Sequence, residues 1–139
     1  MDGAINQDTF EWLKGKKVLI IEDDTLLQDL LANKLADLRS HGLEVYPVFD
    51  GRKALEVTKK EKPDIIILDL MLPGVTGFEF LEALRKDEET KDSAVIVLSN
   101  LNQDSDKEKA MKLGVKEYLV KADISLDSVS EKIAELLKG

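Results

Sequence analysis

The sequence contains no cysteine and few aromatic residues. Without cysteine, the 139-residue chain has no disulfide framework, no thiolate metal site and no cysteine nucleophile. Aromatic residues make up only 5% of the chain, but hydrophobic residues as a whole make up 43%. That aliphatic content is enough for one core, and the length fits a single domain.

Long apolar runs and an excess of basic charge are missing as well. No stretch approaches the roughly 18 apolar residues that span a membrane, and residues 1–17 lack the basic start and apolar run of a signal peptide. We therefore expect a soluble, cytoplasmic protein that does not contact a membrane. The formal net charge is −8, whereas free-standing DNA-binding domains are usually basic. Direct nucleic-acid binding is accordingly not expected.

Five apolar segments predict the strands of a sheet. One of them, Glu44–Phe49, contains Pro47, which cannot donate to a strand ladder and so predicts a strand at the sheet edge. The others are continuous runs rich in Val, Ile and Leu, typical of parallel strands buried on both faces. These four runs are Val18–Ile21, Ile65–Leu68, Ala94–Leu98 and Tyr118–Val120.

Segments with helical spacing separate and follow these strands. The first helix is predicted from an apolar stripe over Leu26–Leu38. Asp50 is expected to cap the second helix and Ser125 the fifth, and a capping box over Ser105–Glu108 is expected to open the fourth. Met111, on that fourth helix, is expected in the core.

The alternation of strands and helices predicts the fold class. It is typical of an α/β doubly wound, flavodoxin-like fold, with a five-stranded parallel sheet and five helices. Right-handed crossovers and the edge position of Pro47 favour the strand order 2-1-3-4-5. Residues 16–139 are predicted to form this domain. Residues 1–15 are predicted to form an N-terminal extension, with a loose turn or short helix around Thr9–Leu13.

Polar residues follow four of the five predicted strands. Because the carboxyl ends of parallel strands meet at one sheet edge, where α/β folds bind ligands, these side chains are expected to converge. Two carboxylates about 5 Å apart repel by roughly 3 kcal/mol at an effective dielectric constant near 20. We therefore expect a bound cation to offset this repulsion. An all-oxygen site with room for water and phosphate favours Mg²⁺. The residues are Glu22, Asp23, Asp24, Asp69, Ser99 and Lys121.

The same cluster predicts chemistry on phosphorus. Asp24 is explained by capping the next helix, but Asp69 is separated from its following helix by Leu70–Gly74. A metal-bound aspartate can attack phosphorus and hold an aspartyl phosphate. The ammonium group of Lys121 and the hydroxyl group of Ser99 can bind phosphoryl oxygens. Each residue alone is commonplace, and it is their joint position that predicts a phosphoacceptor site.

Over residues 16–138 the sequence resembles the receiver domain of two-component response regulators. The match rests on Ile20–Asp24, Asp69–Gly77, Ser99 and Tyr118–Lys121. Within the segment Asp69–Gly77, Pro73 and Gly77 stand at the family's offsets from Asp69.

The resemblance implies a role for each acidic residue. Asp69 would be the phosphoacceptor, and Glu22 and Asp23 the acidic pair, with Asp23 as the direct Mg²⁺ ligand. The backbone carbonyl of Met71 would be a further ligand. By the same resemblance, the phosphoryl group would come from a sensor histidine kinase or a histidine phosphotransfer protein. The domain would catalyse only its own phosphorylation and dephosphorylation.

The resemblance also implies how the domain would switch between partners. Ser99 and Tyr118 would form a hydroxyl–aromatic switch pair, and Lys121 would bind the phosphate. The downstream protein partner is not identified by the sequence. Two positions depart from the family pattern, because Asn100 stands where a small residue is usual and Ala122 where proline is usual.

The departure at Ala122 affects the peptide bond that precedes it. In the family this bond is usually cis. A cis bond costs about 0.5–1 kcal/mol before proline but roughly 2.5–4 kcal/mol before another residue. We therefore expect a trans Lys121–Ala122 bond.

Three other functions are alternatives to phosphorylation for a sequence of this fold class. A haloacid-dehalogenase-like phosphatase requires a second acid two residues after the nucleophile, where this sequence has Met71. A flavodoxin-type FMN carrier requires a phosphate-binding loop after the first strand, where this sequence is acidic. A degenerate receiver, which binds a partner without being phosphorylated, remains the alternative.

Overall fold

The computed structural model describes residues 7–139 and contains one parallel five-stranded sheet. Its strand order, β2-β1-β3-β4-β5, is the predicted one. Pro47 lies in β2, at the sheet edge, as its missing N–H group predicts. The strands are β1 (Lys17–Ile21), β2 (Glu44–Val48), β3 (Ile65–Leu68), β4 (Val95–Ser99) and β5 (Glu117–Val120).

Six α-helices and two short 3₁₀-helices accompany the sheet in the described part of the chain. Five α-helices were predicted, and the extra one arises because the first predicted helix divides at Leu35. The backbone there (φ −92°, ψ 2°) lies in the bridge region rather than the helical region. The α-helices are α1 (Thr25–Lys34), α2 (Ala36–Ser40), α3 (Gly51–Glu61), α4 (Gly77–Lys86), α5 (Asp104–Lys112) and α6 (Leu126–Lys138), and the 3₁₀-helices are Gln7–Leu13 and Lys121–Asp123.

The sheet is covered on both faces. Successive residues of β1 belong to different core clusters: Leu19 packs with Phe80 of α4 on one face, and Ile20 packs with Ile133 of α6 on the other. All four of these side chains are apolar, and the two strand side chains are fully buried. Burial on both faces explains why the strands are continuous apolar runs without alternation.

The N-terminal segment packs onto this core. Leu13 is fully buried in the same cluster as α6, and Trp12 packs against that cluster as a half-buried side chain. Of the predicted extension over residues 1–15, residues 1–6 lie outside the described residues. None of the described helices is long and apolar enough to cross a membrane.

Three of the four predicted helix starts are confirmed. Asp24, Asp50 and Ser125 each accept a hydrogen bond from a backbone N–H group in the first turn of the helix that follows. The capping box at Ser105–Glu108 is wrong, because α5 begins at Asp104, after Gln103. The earlier start places two acidic side chains in the first turn, where the helix dipole stabilises negative charge.

Helix α1 contains a buried glutamine that ties the carboxyl ends of two strands together. The Gln28 side chain is 4% exposed. Its amide nitrogen donates to the carbonyl oxygens of Ile20 at 2.9 Å, Glu22 at 3.1 Å and Val48 at 3.1 Å. The bonds join α1 to the ends of β1 and β2, just where the acidic residues begin.

We predict that Gln28→Leu lowers the free energy of unfolding by about 1–3 kcal/mol, because buried carbonyl groups lose their donor. Gln28→Glu should cost more, since it keeps the shape but turns an oxygen toward the carbonyl oxygens. Urea unfolding measures both. The control is Gln103→Leu, at an exposed position, with an expected change within about 0.5 kcal/mol. Equal unfolding midpoints for Gln28→Leu and the control would show that these bonds do not stabilise the fold.

Candidate functional site

The hydrogen-bond ladder places Glu22 and Asp69 side by side. Ile21 of β1 pairs with Leu68 of β3, and the next N–H group along β3, that of Asp69, donates to the Ile21 carbonyl at 3.0 Å. The N–H group of Glu22 continues the other ladder, to the Val48 carbonyl at 2.9 Å. Both acids therefore stand at the carboxyl ends of β1 and β3, where the strand order reverses.

Three carboxylates meet at this edge of the sheet. Glu22, Asp23 and Asp69 each offer an oxygen, and these oxygens all lie within 4.8 Å of one another. Glu22 and Asp69 are 2% and 4% exposed, whereas Asp23 is exposed. Asp24 turns to α1 instead, where it accepts a hydrogen bond from the Leu27 N–H group at 3.1 Å. The expected separation of Asp24 from the other acids is thus observed.

Both carboxylate oxygens of Asp69 have donors. Oδ1 accepts from the Ser99 hydroxyl group at 2.8 Å and from the Met71 N–H group at 2.9 Å. Oδ2 accepts from the Lys121 ammonium group at 2.7 Å. The two side chains predicted to bind phosphoryl oxygens are therefore already in contact with the predicted acceptor.

Lys121 also contacts the second buried acid. Its Nζ lies 2.7 Å from Glu22 Oε1 and 2.7 Å from Asp69 Oδ2. Burial acts to lower the pKa of Lys121, but the hydrogen bonds to Asp69 and Glu22 outweigh it and raise the pKa. Burial raises the pKa of Glu22, although the hydrogen bond from Lys121 opposes it. One ammonium group thus stabilises two crowded carboxylates.

The donor set fits a small divalent cation. All three acidic side chains offer oxygen, the ligand type that Mg²⁺ prefers. When ionised, three carboxylates and one ammonium group leave two negative charges at the site. Asp23 reaches solvent, so this side of the cluster has room for the water and phosphate ligands that Mg²⁺ keeps. The role of the Met71 carbonyl as a ligand stays a prediction.

Tyr118 is connected to Ser99 through Leu101. The Tyr118 hydroxyl group donates to the Leu101 carbonyl at 2.7 Å, and the Leu101 N–H group lies 3.4 Å from Ser99 Oγ. Burial raises the pKa of Tyr118 to about 12, so the phenol stays protonated as a donor. The predicted switch pair is therefore joined by one intervening residue rather than by direct contact.

A close approach of the backbone fixes the loop after Asp69. The N–H group of Gly77 donates to the Leu70 carbonyl at 3.1 Å. A side chain at Gly77 would clash with the Leu70 backbone and would place its Cβ 2.5 Å from the Asp69 carbonyl oxygen. Glycine is therefore required here for steric reasons. Thr76 and Glu79 form a capping box that starts α4 directly after the loop.

The sequence reasoning missed two of the residues that support this site. Gln28 could have been noticed as the polar position inside the apolar stripe of α1. Thr76, with Glu79 three residues later, matches the capping-box pattern in the sequence itself. Neither contacts Asp69 directly, and both fix the backbone that carries the acids.

The two positions that depart from the family pattern contact each other. The Ala122 N–H group donates to Asn100 Oδ1 at 3.2 Å. The Lys121–Ala122 bond is trans, which confirms the prediction. Lys121 still reaches Asp69 from a trans bond, so the site geometry does not depend on proline here.

Comparison with known proteins identifies the family. A family model described as response regulator receiver domain matches residues 18–134. The chain is 35% identical over 122 residues to the DNA-binding dual master transcriptional regulator RpaA of Synechocystis sp., covering 88% of this chain and 49% of RpaA. It is 32% identical to the probable transcriptional regulator ycf27 of Porphyridium aerugineum, covering 78% of this chain and 43% of ycf27. The chain thus spans about half the length of these curated relatives or less.

Solved structures agree with the sequence match. The receiver domain of the Francisella response regulator 1452 has a TM-score of 0.77 and 30% identity, covering 88% of this chain and 97% of that domain. The chemotaxis protein CheY4 of Vibrio cholerae has a TM-score of 0.75 and 28% identity, covering 87% of this chain and 98% of CheY4. Since sequence and fold lead to the same group of proteins, the chain belongs to the response regulator receiver domain family and is part of two-component signalling.

Proposed function

We propose that the chain accepts a phosphoryl group on Asp69 in a Mg²⁺-dependent step and thereby changes which partner it binds. One observation carries this proposal. Ser99 and Lys121 donate to different oxygens of the same buried carboxylate, at 2.8 Å and 2.7 Å. The donors that a transferred phosphoryl group needs are thus within reach of the nucleophile before the group arrives.

The transfer itself forms one bond and breaks one bond. A carboxylate oxygen of Asp69 forms a bond to phosphorus, and the bond from phosphorus to the leaving atom breaks. The leaving group, a phosphohistidine nitrogen or the acetate of acetyl phosphate, keeps the electron pair. Lys121 and Ser99 then stabilise the charge on the phosphoryl oxygens. Held by Glu22, Asp23 and Asp69, Mg²⁺ would supply the positive charge that offsets repulsion between the acids and the phosphate.

We predict that the protein gains one phosphoryl group from acetyl phosphate with Mg²⁺ and none when EDTA is present. Asp69→Asn should gain none, because the amide is not a nucleophile. Intact-protein mass spectrometry measures the gain. The matched control is Asp24→Asn, which removes a neighbouring charge but keeps a side chain that caps α1 well. Uptake by Asp69→Asn at the wild-type rate would refute the assignment, and no uptake by the wild type would favour the degenerate receiver.

The phosphodonor protein is proposed to dock on an apolar groove beside Asp69. Leu26 and Leu30 of α1 are 65% and 40% exposed, although they belong to an apolar stripe. They line a groove with Ile124 and Leu126, and Lys121, which contacts Asp69, lines the same groove. A histidine kinase or histidine phosphotransfer protein that covers these side chains would bring its phosphohistidine toward Asp69. Exposed apolar groups next to a reactive site are typical of such a surface.

We predict that Leu26→Ala/Leu30→Ala slows phosphoryl transfer from a phosphorylated histidine phosphotransfer protein but not from acetyl phosphate, because only the protein donor needs the groove. The control is Met111→Ala on α5. Met111 was expected in the core but is 53% exposed, and it lies outside the groove. The rate of each reaction is measured by the gain of labelled phosphate on Asp69. An equal loss of rate with both donors would rule out a docking role.

Partner switching is proposed to pass from Ser99 to Tyr118. Movement of Ser99 toward a phosphoryl group would disturb Leu101, whose carbonyl holds the Tyr118 hydroxyl group. Tyr118 lies on β5, beside α5 and ahead of α6. A modification at Asp69 would thus bias a surface made by these three elements.

We predict that beryllofluoride with Mg²⁺, as a mimic of the phosphoryl group, changes hydrogen exchange in residues 100–138 but not in α3. Ser99→Ala should abolish the change while beryllofluoride still binds, because the first moving group is lost. Exchange is read by mass spectrometry, with binding confirmed by fluorine NMR. An unchanged region 100–138 in the bound wild type would contradict this route.

A further inference from the structure

We propose that Asn100 is a positioning residue for Lys121, and that it acts by accepting a hydrogen bond from the backbone of Ala122. The inference rests on the proposed function, since Lys121 is the group whose position matters for phosphoryl transfer. Asn100 belongs neither to the acidic cluster nor to the switch pair, although its side chain lines the apolar groove. Its contact to Ala122, at 3.2 Å, is what distinguishes it.

The bond joins two loops directly beyond the residues that hold Asp69. Asn100 follows Ser99, which donates to Asp69 Oδ1, and Ala122 follows Lys121, which donates to Asp69 Oδ2. The pairing of β4 with β5 ends at Ser99 and Val120. The side chain of Asn100 therefore joins the two segments just past the end of the sheet, where backbone hydrogen bonds between β4 and β5 no longer hold them together.

The Ala122 N–H group needs an acceptor from outside its own turn. It lies in the 3₁₀-helix Lys121–Asp123, whose N-cap residue Val120 offers no side-chain bond. The first N–H groups of a helical turn have no partner within the turn. Asn100 Oδ1 supplies that partner and so fixes the backbone next to Lys121.

A fixed backbone matters because the lysine side chain is long. Lys121 Nζ must meet two oxygens at 2.7 Å each, and four rotatable bonds separate it from the main chain. The side chain is 20% exposed, so neighbouring side chains restrict it only on some sides. Anchoring residue 122 restricts the backbone next to Lys121. The lysine side chain then stays in orientations from which its ammonium group reaches Asp69. The anchor also requires a residue with an N–H group at position 122, which proline does not have.

The experiment compares Asn100→Leu, which keeps the approximate shape but removes the acceptor, with Asn100→Asp, which keeps an acceptor. The control is Asn102→Leu, the same change at an exposed position of the same loop. NMR measures hydrogen exchange of the Ala122 amide and the Lys121 Nζ signal, and mass spectrometry measures phosphorylation by acetyl phosphate with Mg²⁺. Urea unfolding of each variant separates a local change from general loss of stability.

We expect Asn100→Leu to speed exchange of the Ala122 amide, to shift the Lys121 Nζ signal and to slow phosphorylation by about two- to tenfold, the range that one net hydrogen bond corresponds to. Asn100→Asp should keep the amide protected. Ala122→Pro removes the donor, so its effect and that of Asn100→Leu should not add in the double variant.

Two results would overturn the inference. One is a Lys121 Nζ signal and a phosphorylation rate in Asn100→Leu that match those of Asn102→Leu. The other is strict additivity of Asn100→Leu and Ala122→Pro. A wild type that takes up no phosphate would contradict the proposed function alone, because the amide and ammonium signals report on the anchor without phosphorylation.

Discussion

The ion pairs of Lys121 with Asp69 and Glu22 are the interaction on which the site depends. Two carboxylates that are almost fully buried would repel each other and would be poorly solvated without a cation. The ammonium group, 2.7 Å from each, offsets both effects. The surrounding structure serves to bring these three groups together from three different strands. Gln28 holds the end of β1, Gly77 allows the loop after β3 to close, and alanine in place of proline after Lys121 leaves a backbone donor for Asn100.

Much of this arrangement could be predicted because it follows from strand ends. Continuous apolar runs such as Ile65–Leu68 are required of strands buried on both faces, and Pro47 could only lie at an edge. Once the strand order was fixed, the residues at the carboxyl ends of the parallel strands had to lie at the same edge of the sheet. The convergence of Asp69, Ser99 and Lys121 thus followed from topology rather than from any property of the single residues.

What could not be predicted depends on pairwise geometry. The segment Ser105–Glu108 matches the capping-box pattern, but the pattern alone does not show that α5 begins earlier, at Asp104. The stripe of α1 gave no indication that the backbone would leave the helical region at Leu35, or that Leu26 and Leu30 would face solvent. The bond between Asn100 and Ala122 joins residues 22 positions apart, and neither residue alone indicates the other.

The most direct test of the account is to locate the phosphoryl group on the chain. After incubation with acetyl phosphate and Mg²⁺, borohydride reduces an aspartyl phosphate to homoserine, and peptide mass spectrometry identifies the residue that has changed. The account predicts homoserine at position 69 and unmodified aspartate at positions 23 and 24. Homoserine at either of those positions, or phosphate on a serine with Asp69 intact, would contradict the claim that Asp69 is the phosphoacceptor.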